Sequence, residues 1–238
     1  MTSLKVLDLF SGIGGFTLGL ERAGHQTIAF CEIEPFCQKV LKKHWSHIPI
    51  FSDITLLHGT DLPSKPDLIC GGFPCQDLSV AGKQAGLSGT RSSLWWEMHR
   101  LIGECRPDWV LVENVPNLRT KGADEVLTSL EREGYSCWPS VVGAWAVGAE
   151  HPRERVWILA HTQGKRMERM RAERFEKSYA LDRTLLSVRN SDGKWEVEPD
   201  VCREVHGVSD RIHRLKALGN SVVPQIPQLF GEFIARHS

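Results

Sequence analysis

The chain of 238 residues contains no apolar run near the roughly 18 to 20 residues that a membrane span requires, and its first residues lack the basic, apolar, small-residue order of a secretory leader. The expected location is the cytoplasm, with no membrane partner. No CxxC pair is present: the seven cysteines stand apart at positions 31, 37, 70, 75, 105, 137 and 202. An odd, scattered set argues against both a disulfide framework and a zinc site. The ten histidines include no HExxH, and His44 and His47 have no companion ligands nearby in sequence, so no metal is expected. Net charge is absent too, with 29 basic and 29 acidic residues, so global electrostatics point to no polyanionic partner. The distribution says more: residues 1–160 carry a net charge of minus 3 and residues 161–216 a net charge of plus 3. No internal repeat or low-complexity tract interrupts the chain.

What is present is alternation. Apolar, strand-like runs take turns with segments of helical period: Leu4 to Phe10 then Gly15 to Ala23, Gln26 to Cys31 then Pro35 to His44, Leu68 to Gly71 then Leu94 to Cys105. The pattern continues with Trp109 to Glu113, a helix near Ala123 to Glu133, and strand-like Ser136 to Ala146 and Arg155 to Ala160. Such alternation predicts an α/β fold, a doubly wound, mostly parallel sheet whose ligand crevice lies outside the carboxyl ends of its strands. Three regions follow: a core over 1–160, a short polar insert over 161–205, and a segment over 206–238 whose helix from Pro224 to Ala235 should pack back on the sheet.

Asp8-Leu9-Phe10-Ser11-Gly12-Ile13-Gly14-Gly15 follows the first strand and opens a helix, so its glycines can bring backbone N–H groups close to a ligand. Thr17 breaks the GxGxxG spacing. Glu32, at the end of the second strand, could accept from ribose hydroxyls, and Asp53-Ile54 follows a third strand end, where an Asp either meets an adenine amino group or simply caps a turn. Dinucleotide and S-adenosylmethionine enzymes share this much, and the pocket does not choose between them.

Gly71-Gly72-Phe73-Pro74-Cys75-Gln76 closes the fourth strand at the same edge. A cysteine without context is most often a small buried hydrophobe. Here two glycines permit close approach to a ligand, Pro74 fixes the backbone, and a polar, glycine-punctuated stretch from Asp77 to Ser93 follows, as in a closing loop. Glu113 ends the next strand on that edge. A thiolate beside a carboxylic acid suits addition of sulfur to an electron-poor ring with protonation of a ring nitrogen.

Together with His151-Pro152-Arg153-Glu154-Arg155 and Gly219-Asn220-Ser221-Val222-Val223-Pro224, these segments resemble the C5-cytosine DNA methyltransferases, in that family's order, over residues 4–160 and 203–236. The resemblance implies S-adenosyl-L-methionine along Phe10, Gly12 and Gly14, with Glu32 on the ribose, Ile33 against adenine, Asp53 and Ile54 around the adenine edge, and Pro74 and Asn220 beside the cofactor. It implies double-stranded DNA as partner, with a target cytosine flipped from the stack, Cys75 as nucleophile, Glu113 on the ring nitrogen, and Arg153 and Arg155 on one strand face holding the cytosine carbonyl and its carboxylate partner. Gln76, Ser79, Lys83 and Arg91 are expected to fill the vacated base position or touch phosphate. Trp95 and Trp96 are expected to anchor the loop in the core. A monomer with a place in restriction and modification completes the expectation.

The chain departs from many family members in leaving only about 45 residues where a recognition region of a hundred or more is usual. The run Lys165 to Lys177, with six basic and three acidic residues, could face phosphates or form a solvated salt-bridged surface. Transfer-RNA methylation is the neighbouring alternative, although the Cys-Phe-Thr signature of that branch is missing. A nicotinamide-dependent oxidoreductase would use the glycine turn and Glu32, but it leaves the Cys75, Glu113 and double-arginine set without a joint purpose.

Overall fold

The computed structural model describes residues 2–74, 94–162 and 216–238. Seven strands, β1 (Lys5–Leu9), β2 (Gln26–Cys31), β3 (Ile50–Phe51), β4 (Leu68–Gly71), β5 (Trp109–Asn114), β6 (Ser136–Val142) and β7 (Arg155–His161), form one sheet in the order β3-β2-β1-β4-β5-β7-β6. Helices α1 (Gly15–Arg22), α2 (Pro35–His44), α3 (Leu94–Cys105), α4 (Leu118–Lys121), α5 (Ala123–Arg132) and α6 (Gln225–His237) connect or cover the strands.

The period of two in β1 shows how sequence becomes layers. Leu7 and Leu9 face the apolar cluster containing α3 and α5 residues Trp95, Leu101 and Leu130. Val6 faces the opposite cluster with Phe16 of α1 and Phe230 and Ile234 of α6. Both faces are buried, so β4 and β5 read as continuous apolar runs rather than alternating ones. On the α1 and α6 side, Trp157 stacks on Phe230 with ring centroids 5.3 Å apart and meets Phe16 edge-on at 5.6 Å. Gly19 lets α1 and α6 approach closely, since a Cβ there would run into Pro224 and lie 2.8 Å from the Pro227 ring.

β1 pairs with β2 and β4 in parallel, and β4 with β5 in parallel. The chain therefore winds one way from β1 to β3 and the other way from β4 to β5, and the switch point lies between the adjacent ends Leu9 and Gly71. That is where an open sheet of this kind takes its ligand. The sheet's departure from parallel is β7, which enters antiparallel between β5 and β6. The strand expected from Ser136 to Ala146 stops at Val142, because Gly143 leads into a single 3-10 turn at Ala144–Val147.

Candidate active site

The glycine turn is built on unusual backbone. Phe10, Gly12 and Gly14 have φ of 54°, 54° and 88°, the left-handed region that favours glycine and that costs a residue such as Phe about 1–3 kcal/mol. Among the described residues no atom lies within 4 Å of the place a Cβ on Gly12 would occupy, so its backbone faces open space there. Glu32 braces this turn: Oε2 accepts from Gly12 N at 2.7 Å and Oε1 from Glu34 N at 2.7 Å. Each oxygen retains a lone pair for a further donor. Beside it, Ile33 is 72% exposed, an apolar side chain left with nothing to cover it.

Below the turn sits a carboxyl group to which the sequence reading assigned no role. Asp8 is fully buried, and its Oδ2 accepts from the Thr17 hydroxyl at 2.7 Å, which in turn accepts from Thr27 at 3.1 Å. Gly14 precedes α1 with no side-chain cap, and Asp8 reaches across from β1 to the first turn of that helix through Thr17. Its Oδ1 meets no N–H or O–H donor among the described residues, with only the weakly donating Cys70 thiol beside it. Burial pushes the Asp8 carboxyl up to about 7, against the downward pull of Thr17.

At the adenine end the expectation needs correcting for Ile54. Its side chain is 5% exposed and packs in the core with Leu57 and Leu101, because the turn after β3 points it inward, so only its backbone remains to meet a base. Asp53 makes the bonds of a turn residue, Oδ1 accepting from Thr55 N at 2.9 Å and Thr55 Oγ1 at 2.8 Å, and these bonds hold its carboxyl below the usual range. Oδ2 takes part in neither bond.

Across the switch point, Glu113 is the next-to-last residue of β5, with only 9% exposure. Burial pushes its carboxyl up to about 7, although Arg155 and then Arg153 pull the other way. Arg155 Nε lies 3.0 Å from Glu113 Oε1. The other oxygen would lie 2.7 Å from a Cβ on Gly72, so glycine is the residue that lets the β4 loop lie against the carboxyl. Asn114, named in the motif without a role, clamps that loop: Nδ2 donates to Phe73 O at 3.1 Å while Oδ1 accepts from Val115 N at 2.8 Å. An Asn at 3% exposure in an apolar strand was the available signal, since a buried amide needs partners.

Arg153 differs from expectation. β7 begins at Arg155, and Arg153 precedes it at φ 27°, so the alternation that would set both arginines on one strand face does not operate. Arg153 Nη2 instead donates to Gly219 O at 2.9 Å and to Ser221 O. Asn220 is an exposed residue between those two carbonyls. Pro74 is the last described residue before the loop, and Cys75, Gln76, Ser79, Lys83 and Arg91 lie outside the described residues, as do Lys165 to Lys177 and the rest of 163–215. Trp95 is the anchor expected of it, fully buried and donating Nε1–H to Ser129 Oγ at 3.2 Å, whereas Trp96 is 40% exposed.

The buried carboxyls of Asp8 and of the arginine-held Glu113 thus meet the left-handed glycine turn around one switch point. The family model of the C-5 cytosine-specific DNA methylases matches residues 4–206. The chain belongs to that family. A type II methyltransferase of Bacillus subtilis, M2.BsuMI, is 41% identical over 66% of this chain and 42% of its own length. M.CviJI, a type II methyltransferase of Paramecium bursaria Chlorella virus IL3A, is 31% identical over 93% of this chain and 57% of its own. The chain thus spans about half the length of these relatives. Among solved structures, a DNA modification methyltransferase encoded within an Escherichia coli prophage superposes with a TM-score of 0.57 at 28% identity, covering 67% of this chain and 47% of that one.

C-5 cytosine methylases use S-adenosylmethionine. The residues of this chain fit that group: open backbone at Gly12, a carboxylate with spare lone pairs at Glu32, and the exposed apolar face of Ile33 next to it. Among the described residues no helix is long and apolar enough to cross a membrane.

Proposed function

We propose that this chain methylates carbon 5 of a cytosine flipped out of double-stranded DNA, with Cys75 as the nucleophile. The observation that carries the reading is Glu113: a buried carboxyl that holds its proton to about pH 7, gripped by Arg155 and in contact with Gly72, three residues before Cys75. Glu113, poised between donor and acceptor near neutral pH, hydrogen-bonds and protonates ring nitrogen 3 as Cys75 sulfur bonds to carbon 6, which makes carbon 5 nucleophilic. Bound S-adenosylmethionine supplies the methyl group. Loss of the carbon-5 proton to water then expels the Cys75 thiolate, the nitrogen-3 proton returns to the Glu113 carboxylate, and the aromatic ring is restored.

The five described cysteines support the assignment by contrast. Burial pushes Cys31 and Cys137 up to about 12 and Cys37 to about 11, and it raises Cys70 and Cys105 as well, so these thiols stay protonated and inert. For the cofactor, Phe10, Gly12 and Gly14 offer backbone, Glu32 the ribose acceptor, Ile33 the cover over adenine, Asp53 Oδ2 and the Ile54 backbone the adenine edge, with Pro74 and Asn220 alongside. Gln76, Ser79, Lys83 and Arg91 are assigned to the DNA, together with the insert over 161–205 and its basic run Lys165 to Lys177. A monomer in the cytoplasm, in a restriction and modification setting, is the accompanying proposal.

Cys75→Ala tests the reading: methyl transfer from labelled cofactor to duplex DNA disappears while cofactor binding persists, and retained turnover refutes it. Transfer RNA run in parallel separates the two nucleic acids. Bisulfite sequencing of DNA from expressing cells gives the site.

A further inference from the structure

The geometry points to a division of labour between the two arginines: Arg155 serves the reacting base through Glu113, and Arg153 is a positioning residue that clamps the helix end at Gly219–Ser221 against the cofactor-binding turn. The inference rests on the functional reading above and adds to it a route by which the two halves of the site are held in register.

Three contacts carry it. Arg153 leaves β7 before the strand begins, at a left-handed φ of 27°, and so parts company with Arg155. Among the described residues it pairs with no carboxylate. Its Nη2 reaches two backbone carbonyls on either side of Asn220, those of Gly219 and Ser221. The segment so gripped is pressed on the start of α1: a Cβ on Gly15 would lie 2.8 Å from Val222 Cγ2, 3.0 Å from Ser221 Oγ and 3.0 Å from Val222 O. Gly15 directly follows Gly14, so the clamp ends on the left-handed turn. On the other flank Lys216 Nζ lies 3.3 Å from Glu34 Oε2, and Glu34 N is one of the two donors that hold Glu32. The helix end is thus fixed at the arginine, at the glycine turn and beside the ribose acceptor.

Arginine suits the task. Its planar fork can serve two carbonyls from one nitrogen, and it stays charged even where burial and then the neighbouring Arg155 lower its affinity for protons. Held there, it also keeps a positive charge near Glu113.

The test compares Arg153→Ala, Arg153→Lys and Arg155→Ala in the full chain. Affinity for S-adenosylhomocysteine is measured by calorimetry and turnover on duplex DNA at saturating cofactor. The expected result for Arg153→Ala is a loss of about tenfold or more in cofactor affinity, the effect of about 1.4 kcal/mol, with turnover at saturation within a few fold. Arg153→Lys recovers most of the affinity, and Arg155→Ala shows the reverse split, with affinity kept and turnover lost. Should Arg153→Ala not fold, Arg153→Gln replaces it with the same expected outcome. Unchanged cofactor affinity with lost turnover in the Arg153 variants would overturn the clamp and return Arg153 to the base. Hydrogen exchange of the amides of residues 218–222 separates this outcome from failure of the functional reading. If the wild-type chain transfers no methyl group, faster exchange there in Arg153→Ala still supports the clamp, and unchanged exchange overturns it.

Discussion

Glu113 and Asp8 are both buried acids held up to about 7, one beside the reacting edge and one beneath the glycine turn. Their folded pKa values exceed those of an exposed carboxyl, so the folded chain binds these protons more tightly than the unfolded chain. The stability they contribute is full below about pH 4, declines as pH rises and is lost above about pH 7. Asp8→Asn, which keeps an acceptor for Thr17 and removes the charge, should lose less stability than wild type between pH 5 and pH 8, by on the order of 1–3 kcal/mol, measured by urea unfolding at both values. Glu113→Gln should lower methyl transfer about 10²- to 10⁴-fold while leaving the urea midpoint at pH 8 unchanged or higher. At this scale the sequence revealed which residue types converge, because acids and glycines at strand ends have few structural reasons to be there. It did not reveal orientation. Ile54 turns into the core and Arg153 turns away from its strand, and both depend on backbone angles that neighbours impose after folding.

Elements place these side chains. α1 and α6 meet through Gly19, and β4 meets β5 through Gly72 and the Asn114 clamp. Gly19→Ala should destabilise the chain by about 1–3 kcal/mol, read as a lower urea midpoint with unchanged slope, because its methyl group has to displace Pro224 backbone. Asn114→Ala frees the Phe73 carbonyl and should cost about 1–3 kcal/mol in stability and slow turnover more than it weakens cofactor binding, since the loop it releases leads to Cys75 rather than to the glycine turn. Strands and helices up to β5 were legible because apolar runs switch cleanly between periods of two and 3.6. The place of β7 was not. A buried antiparallel strand such as Val156 to Ala160 carries the same unbroken apolar pattern as a parallel one, and its insertion between β5 and β6 is decided by register with distant partners.

For the whole molecule, zero net charge means that any hold on DNA comes from local basic patches. The measured affinity for duplex DNA should fall linearly on a logarithmic salt scale, and removing residues 165–200 should reduce that slope. Unchanged affinity and site preference in that deletion would exclude the insert from DNA binding. The family was readable from short motifs because these crowd one edge of the sheet, whereas target choice was not, since no short motif encodes it. The antiparallel run of β7 has one more consequence. His161 lies opposite Trp109 and Ser136, so the chain departs from the sheet at the rim remote from the chemistry, and Lys216 rejoins it beside Glu34 at the chemical rim. Those two points are separated by at least the length of a seven-residue strand, roughly 20 Å, quite apart from the sideways distance from β7 to β2. Whatever is grafted between them must therefore be chosen as a bridge with its ends far apart. A hairpin-like cassette with adjoining ends would pull one rim out of place.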